Sequence, residues 1–139
     1  MPKSTTTPEH LLALDIGDKR IGLAIAKVDV NLASPLITLN NDDHLIDELK
    51  NIINQYGVKT IIAGLPISLS GQPSNQTKKT QQLISTLKKN LKIQVLTQDE
   101  ALSSVRAEEE LKQRGKIFTK ADIDKLAACL ILEDYLNSL

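Results

Sequence analysis

Several acidic residues of this chain stand where a purely structural role explains them poorly. Asp15 directly follows the apolar run at positions 11–14 and precedes Gly17. A carboxylate at the end of a buried strand is costly unless it is paired, caps a turn or binds a metal ion. The structural alternative is a hydrogen bond from Asp15 to the turn between Gly17 and Arg20. We favour a functional role for Asp15.

A second acidic position is the pair Asp99 and Glu100, at the carboxyl end of the fifth predicted strand. Neighbouring residues of a strand point to opposite faces of the sheet, so at most one of the two acids shares the side of Asp15. A solvated turn explains the pair equally well. The pair alone therefore does not indicate a site.

The third position is Asp124, in the last predicted helix. Thr119 and Asp122 fit a capping box, which gives Asp122 a structural role but leaves Asp124 without one. Asp124 shares the inward stripe of this helix with four residues at helical spacing, namely Ala127, Ala128, Ile131 and Tyr135. The two alanines allow close packing, which would bring the carboxylate to an interior site. The alternative is a helix-dipole or surface ion-pair role.

Acids supplied by a strand end, a neighbouring strand end and a helix make chemical sense as one cluster. Without a counter-ion they would repel one another, and at least one would stay protonated. Oxygen ligands without His or Cys favour Mg²⁺ or Mn²⁺. Two such ions about 3.5–4 Å apart can activate water and stabilise the leaving oxygen in phosphodiester cleavage. We therefore expect a site that holds two ions.

The distribution of charge points to a local surface for phosphate. The chain has 17 basic and 17 acidic residues, which excludes binding of nucleic acid through bulk charge alone. Only 2% of its residues are aromatic, so it has few platforms for stacking bases. Five lysines and no acid occur between positions 71 and 97, namely Lys78, Lys79, Lys88, Lys89 and Lys92. A solvated helix face explains them, but beside a metal site they would contact phosphates.

The elements that must position these residues follow from periodicity and turn signals. Strands are predicted at 11–17, 20–27, within 30–38, at 58–64 and at 92–97. Four helices are predicted. The first begins at a cap at Asn41 or Asp42 and ends at Gly57, the second covers 76–90, the third runs from a cap at Ser103 to about 114, and the fourth covers 120–136. Residues 67–75 are predicted to form a loop. This order indicates an α/β protein with a mixed sheet covered on both faces, in which strands four and five are parallel.

The length of 139 residues predicts a single domain, with residues 1–9 as a disordered tail. The single cysteine, Cys129, excludes an intrachain disulfide and a multi-cysteine metal site, and its apolar neighbours assign it to the core. His44 is expected to be exposed. The apolar run before Asp15 is too short for a signal peptide or a membrane span, so no membrane association is expected.

Four short motifs occur in order along nearly the whole chain, about residues 11–137. They are Asp15-Ile16-Gly17-Asp18-Lys19-Arg20-Ile21-Gly22, Gly64-Leu65-Pro66 followed by Gly71, Asp99-Glu100 followed by Ser103, and Asp124 followed by Ala127-Ala128 and Ile131-Leu132. Together they resemble the YqgF family of small bacterial proteins, which are pre-16S rRNA nuclease candidates and homologues of Holliday-junction resolvases. Each motif is weak alone, but four in this order are specific.

The resemblance implies an RNase H-like fold with a five-stranded sheet in the order 3-2-1-4-5, whose third strand is antiparallel at the edge. It also implies a catalytic and metal-binding triad of Asp15, Glu100 and Asp124. Asp15 would bridge two Mg²⁺ or Mn²⁺ ions, with each of the other acids holding one side. The resemblance also implies a cytoplasmic protein that acts in maturing the 5′ end of 16S rRNA. We expect a monomer or weak homodimer.

One position departs from the family pattern. The family usually has Arg or Lys directly after the Asp-Glu pair, whereas this chain has Ala101. A cation that contacts phosphate must then come from elsewhere, with Lys19, Arg20 and Arg106 as candidates. Together with Lys78 and Lys79, these residues form the predicted nucleic-acid-binding set.

Other functions remain open on the sequence alone. Cleavage of branched DNA would use the same acidic residues, because substrate choice depends on surface shape and on contacts to the 2′-hydroxyl. A non-catalytic transcription or ribosome-assembly factor that binds nucleic acid is a second alternative. An actin-like or sugar-kinase nucleotide binder is disfavoured, because those proteins need two lobes and this chain has a single Asp-x-Gly motif.

Overall fold

The computed structural model describes residues 9–66, 74–100 and 103–139. The elements run in the order β1 (His10–Ile16), β2 (Arg20–Lys27), β3 (Ser34–Asn40), α1 (Leu45–Tyr56), β4 (Val58–Pro66), α2 (Asn75–Asn90), β5 (Gln94–Glu100), α3 (Ser103–Arg114) and α4 (Lys120–Asn137). No helix in these ranges is both long enough and apolar enough to cross a membrane. Residues 1–8 of the predicted disordered tail and most of the predicted loop at 67–75 lie outside the described residues. Glu9, the last residue of that tail, is described, and its carbonyl accepts from the Val28 amide at 3.1 Å.

The strands form one sheet in the order β3-β2-β1-β4-β5, which confirms the predicted topology. β1 pairs antiparallel with β2, β2 pairs antiparallel with β3, and β4 runs parallel to both β1 and β5. Leu14 aligns with Ala63, and Pro66 aligns with Glu100. The carboxyl ends of β1, β4 and β5 therefore lie at the same edge of the sheet.

Two apolar cores cover the two faces of this sheet. Leu12 and Leu14 of β1 belong to the core formed with α1 and α2, whereas Ala13 belongs to the core formed with α3 and α4. A strand buried on both faces reads as a continuous apolar run, which explains the sequence before Asp15. Cys129 is buried in the second core, as predicted.

Two glycines allow α4 to pack closely on the sheet. A Cβ atom at Gly22 of β2 would lie 2.0 Å from the carbonyl oxygen of Asp124, and one at Gly64 of β4 would lie 2.5 Å from Cδ1 of Ile131. The helix begins with the predicted capping box, in which the Thr119 side chain accepts from the Asp122 amide and the Asp122 carboxylate accepts from the Thr119 amide. The cap sets the start of α4, and the glycines set its distance from the sheet.

Several predicted boundaries were wrong by a few residues. β3 runs to Asn40 because its pairing with β2 extends to Arg20, and β5 runs to Glu100 because it pairs with β4 up to Pro66. The acid pair thus forms the carboxyl end of β5, as predicted. The predicted end of α1 is confirmed by Gly57, which has a left-handed φ of 63°.

The helix starts required two further corrections. The N-cap of α1 is His44 and not Asn41 or Asp42; the Asp42 carboxylate instead accepts from the amide of His44, 2.9 Å away. His44 is exposed, as expected. Ser103 is a buried residue of the first turn of α3 and not its cap.

Candidate active site

Asp15, Glu100 and Asp124 all line one cleft of about 300 Å³. The cleft lies at the edge of the sheet where β1, β4 and β5 end. Asp15 is supplied by β1, Glu100 by the last position of β5 and Asp124 by the second turn of α4. Three acids that are far apart in sequence therefore line the same cleft. Neutral polar residues such as Gln76 and Ser103 also line it.

Asp15 is the carboxylate whose environment is least favourable to charge. Burial raises its pKa to about 7, and the nearby negative charge of Asp124 contributes in the same direction. No Lys or Arg of the described segments forms an ion pair with Asp15. The following turn is closed by the Gly17 amide donating to the carbonyl of Arg20, at 2.9 Å, and that bond does not involve the Asp15 side chain.

Two polar side chains hold the backbone immediately after Asp15. The Asn41 amide donates to the carbonyl of Gly17 at 2.8 Å, and the Gln76 amide donates to the carbonyl of Ile16 at 3.3 Å. The sequence analysis missed both residues, because only the fold brings β3 and α2 to this turn. They fix the chain that carries Asp15.

Glu100 and Asp99 point to opposite sides, as expected for neighbours in a strand. Glu100 is buried, whereas Asp99 is exposed. Burial raises the pKa of Glu100 to about 7, as do a hydrogen bond with Asp134 and its charge, while Arg106 acts in the opposite direction. Of the two acids in the pair, Glu100 is thus the one in the cleft.

Asp124 forms an ion pair across the edge of the cleft. Nε of Arg20 donates to Oδ2 of Asp124 at 2.7 Å, and the two side chains are 36% and 16% exposed. The stripe predicted for α4 is confirmed, since Ala127, Ala128 and Ile131 are buried. Arg20 was predicted to contact nucleic acid, and the structure places it on an acid of the site.

Arg106 of α3 bridges two acids. Its Nη1 lies 3.4 Å from Oε1 of Glu100 and 3.1 Å from Oδ2 of Asp134. The sequence analysis missed Asp134. Its position three residues after Ile131, on the stripe of Asp124 and Ala127, was the signal that would have found it.

The other predicted nucleic-acid-binding residues lie on the rim. Lys19 is exposed in the turn after β1, and Lys78 and Lys79 are exposed in the first turns of α2. Nζ of Lys79 lies 3.7 Å from Oδ1 of Asp18. A second hollow of about 290 Å³, lined by Asp18 and Lys79, shares Ile16, Gly17 and Gln76 with the acidic cleft. The cleft thus continues towards the lysines of α2.

The donors in the cleft suit a hard divalent cation, although they are not arranged as ligands. Three carboxylates offer only oxygen, and Asp15 is a half-buried acid without a cationic partner in the described part of the chain. Within that part, no three His, Cys, Asp or Glu side chains already form a group that could hold a metal ion. Asp124 and Glu100 are instead engaged by Arg20 and Arg106.

A slightly larger cavity, about 370 Å³, lies at the other end of the sheet. Lys50, Asn90 and Lys92 are among its lining residues, and none of the lining residues is acidic. Its lining therefore lacks the carboxylates that a site for Mg²⁺ or Mn²⁺ would need.

Comparison with known sequences assigns a family to this arrangement. The sequence model of the RuvX family, described as Holliday junction resolvase, matches residues 9–138. The chain belongs to the RuvX family. The resemblance to YqgF proteins predicted from the four motifs is thereby confirmed.

Curated relatives of the RuvX family extend over almost the same length. A protein of Chloroflexus aurantiacus is 38% identical over 134 residues, which cover 92% of this chain and 86% of that protein. A protein of Thermoanaerobacter pseudethanolicus is also 38% identical over 134 residues, covering 93% of this chain and 96% of that protein. Both are named as candidate pre-16S rRNA nucleases.

Solved structures confirm the fold expected for the RuvX family. Thermus thermophilus RuvC bound to a Holliday junction superposes with a TM-score of 0.54 at 11% identity and covers 93% of this chain and 94% of that one. The Fowlpox virus resolvase bound to a Holliday junction gives a TM-score of 0.52 at 12% identity, covering 93% and 97%. The fold is therefore RNase H-like, as predicted.

Proposed function

We propose that this RuvX-family protein is a metal-dependent endonuclease that hydrolyses phosphodiester bonds in structured RNA, and that its reaction is 5′-end maturation of pre-16S rRNA. The observation that carries this proposal is the convergence of Asp15, Glu100 and Asp124 on one cleft at the carboxyl edge of the sheet. The names of relatives 38% identical over more than nine-tenths of the chain support RNA as the substrate.

Asp15, Glu100 and Asp124 would hold one or two Mg²⁺ or Mn²⁺ ions. When bound, such ions supply an activated water and stabilise the charge of the leaving oxygen. The cost of keeping Asp15 in its buried position as a charged group is then offset by the cation that it binds. This requirement gives a physical reason for a carboxylate whose pKa is raised to about 7 in the metal-free protein.

The basic residues would position the phosphate backbone around this site. Lys78 and Lys79 lie on the rim that continues from the acidic cleft, where exposed lysines neutralise phosphates without reading sequence. Arg20 and Arg106 contact two of the acids that line the cleft, Asp124 and Glu100 respectively. From the sequence, these two arginines were candidates to replace the basic residue that the family usually has where this chain has Ala101, a position outside the described residues.

Cleavage of branched DNA is the second candidate, because the matching family is described as Holliday junction resolvase. The acidic residues would act in the same way on either substrate, so the rim determines the choice. A nucleic-acid-binding factor without catalytic activity is the third candidate.

The test compares two labelled substrates under identical conditions. A precursor RNA that contains the 5′ extension of 16S rRNA and a four-way DNA junction are each incubated with the protein and Mg²⁺ or Mn²⁺. Asp15→Asn is the inactive variant, and Asp99→Asn is the matched control because Asp99 is exposed on the opposite side of β5. Circular dichroism and thermal melting show that each variant is folded.

We expect cleavage of the RNA at one position near the mature 5′ end, its loss in Asp15→Asn, and its retention in Asp99→Asn. Cleavage of the junction alone would support the second candidate. Binding of either substrate without metal-dependent cleavage, unchanged by Asp15→Asn, would favour the third.

A further inference from the structure

Two of the three acids in the cleft form ion pairs with arginine side chains, and the third does not. Arg20 donates to Asp124 at 2.7 Å, and Arg106 lies 3.4 Å from Glu100. Asp15 has no such partner in the described ranges. Of the two arginine contacts, the one from Arg20 is the shorter and brings Nε directly onto a carboxylate oxygen that the proposed site needs.

The backbones that carry Arg20 and Asp124 are both fixed. The carbonyl of Arg20 accepts from Gly17 at 2.9 Å, and Arg20 is paired with Asn40 in the sheet. The backbone of Asp124 packs directly on Gly22, where even a single added carbon would lie 2.0 Å from the Asp124 oxygen. Breaking the ion pair therefore requires rotation of two side chains but no movement of α4.

Arg20 is also able to leave. Its side chain is 36% exposed, more than twice the 16% of Asp124, so the guanidinium already borders solvent at the mouth of the cleft. A divalent cation on Asp124 would repel the guanidinium and compete with it for the same oxygen. A guanidinium binds phosphate with the same planar fork of donors that it offers to a carboxylate.

We propose that Arg20 is the counter-ion of Asp124 in the metal-free protein, that a divalent cation displaces it, and that the released guanidinium then binds a phosphate of the nucleic acid. This inference rests on the proposed function, because it assumes that Asp124 binds metal and that the cleft receives nucleic acid. It adds an exchange step, by which metal binding prepares the site for the substrate backbone. Arg20 is then a residue that links the two binding events.

Two consequences distinguish exchange from a static role in which Arg20 only orients Asp124. Removal of a competitor strengthens metal binding, whereas removal of an orienting partner weakens it. Coupling between ligands is reciprocal, so metal must also strengthen binding of nucleic acid, and this effect must depend on Arg20.

The first experiment measures Mn²⁺ binding from the electron paramagnetic resonance signal of the free ion. Wild type, Arg20→Gln and Arg114→Gln are compared. Arg114 is the matched control because it pairs with Glu110 at 2.6 Å on α3, and neither residue lines the cleft. We expect Arg20→Gln to bind Mn²⁺ roughly three- to tenfold more tightly, with Arg114→Gln unchanged. Equal or weaker binding by Arg20→Gln would overturn the exchange.

The second experiment measures the affinity for a fluorescent RNA hairpin with and without Ca²⁺, an oxygen-preferring cation. We expect Ca²⁺ to strengthen binding to wild type severalfold more than binding to Arg20→Gln. Equal strengthening in both proteins would overturn the role of the released guanidinium. Should Arg20→Gln fail to fold, the Nε–H resonance of Arg20 in the wild-type protein decides: it shifts on addition of Mg²⁺ if exchange occurs and stays in place if it does not.

Failure of the exchange can be separated from failure of the proposed function. In one outcome, Mn²⁺ binds wild type but not Asp15→Asn, and it binds Arg20→Gln no more tightly than wild type. That result would support the proposed metal site and contradict only the exchange. Absence of Mn²⁺ binding by wild type, or equal binding by Asp15→Asn, would contradict the proposed metal site and the exchange together.

Discussion

Asp15 lies in the cleft with a pKa raised to about 7 by burial and by the charge of Asp124. The ordinary value is 3.8, so the unfolded chain ionises at a lower pH than the folded protein does. Below a pH of 3.8 the carboxyl group of Asp15 is largely protonated in both the unfolded and the folded state, so it does not change the free energy of unfolding. As the pH rises from about 4 towards 7, the unfolded state is increasingly favoured, and stability is lost. The carboxylate of Asp15 therefore destabilises the metal-free folded protein at neutral pH.

The first prediction concerns the stability of Asp15→Asn without metal. In EDTA, the variant should match wild type near pH 4 and exceed it at pH 8 by about 2–4 kcal/mol in the free energy of unfolding, because Asn carries no charge to bury. Urea denaturation at the two pH values measures this difference. A variant that is less stable than wild type at pH 8 would show that the carboxylate has a structural role.

The second prediction separates the two neighbouring acids of β5. Glu100→Gln should lower the rate of cleavage strongly, by at least the roughly 10–100-fold typical of groups that support a metal site. Asp99→Asn should leave the rate unchanged, because Asp99 is exposed outside the cleft. Initial rates at saturating Mg²⁺ provide the comparison. Equal losses in both variants would remove Glu100 from the site.

At the scale of elements, the position of Asp124 depends on how closely α4 approaches the sheet. Gly22 and Gly64 leave the space that the helix occupies. A capping box at Thr119 fixes where α4 begins, and buried Ala127 and Ala128 continue the close packing. The acid reaches the cleft because α4 lies against the sheet, mainly on β2 and also on β1 and β3.

The third prediction is that Gly22→Ala displaces this helix. The added carbon would lie 2.0 Å from the Asp124 carbonyl oxygen, so the backbone of α4 must shift. We expect a loss of about 1–3 kcal/mol of stability, together with a loss of activity at temperatures where the variant remains folded. Ser85→Ala, at an exposed position of α2, is the control. Full activity of folded Gly22→Ala would show that the placement of α4 is not critical.

The sequence predicted these elements well where the signal was local. The bounds of β2 and the end of α1 at Gly57 follow from turns and periodicity, and the inward stripe of α4 follows from spacing alone. The ends of β3 and β5 were missed because they are set by pairing with β2 and β4. The sheet order came from the family resemblance, since local patterns do not specify which strands are neighbours.

The sequence also predicted only part of the candidate site. Asp15 and Asp124 were candidates because a structural role explained each of them poorly, whereas Glu100 was chosen over Asp99 from the family resemblance. The three acids line one cleft, which agrees with that choice. The arginine contacts were not predictable, since Arg20 and Asp124 are 104 residues apart and only the tertiary structure pairs them. The contact between Arg106 and Asp134 was not predicted either, because only the tertiary structure brings the two residues together.

At the scale of the whole molecule, a chain with zero net charge must bind an anionic polymer through a localised surface. Lys78 and Lys79 lie near the amino end of α2, where the hollow beside Gly17 joins the acidic cleft. Lys88 and Lys89 lie in the last turn of the same 16-residue helix. The helix therefore carries two lysine pairs at opposite ends.

The fourth prediction uses these two pairs as variant and control. The double change Lys78→Gln with Lys79→Gln should weaken RNA binding and reduce the slope of log affinity against log salt by about 1.4, as expected for two lost contacts to a single strand. Lys88→Gln with Lys89→Gln should change both quantities less. Fluorescence anisotropy over a range of salt concentrations measures them. A larger effect from the second pair would place the bound strand at the other end of α2.

The proposed metal site is tested most directly by a crystal structure of the wild-type protein soaked with Mn²⁺, with the ions located by their anomalous scattering. The expected result is Mn²⁺ in the cleft, with oxygens of Asp15, Glu100 and Asp124 among its ligands and with Arg20 turned away from Asp124. A saturated crystal whose cleft holds no Mn²⁺, with Arg20 and Arg106 still on their carboxylates, would contradict it.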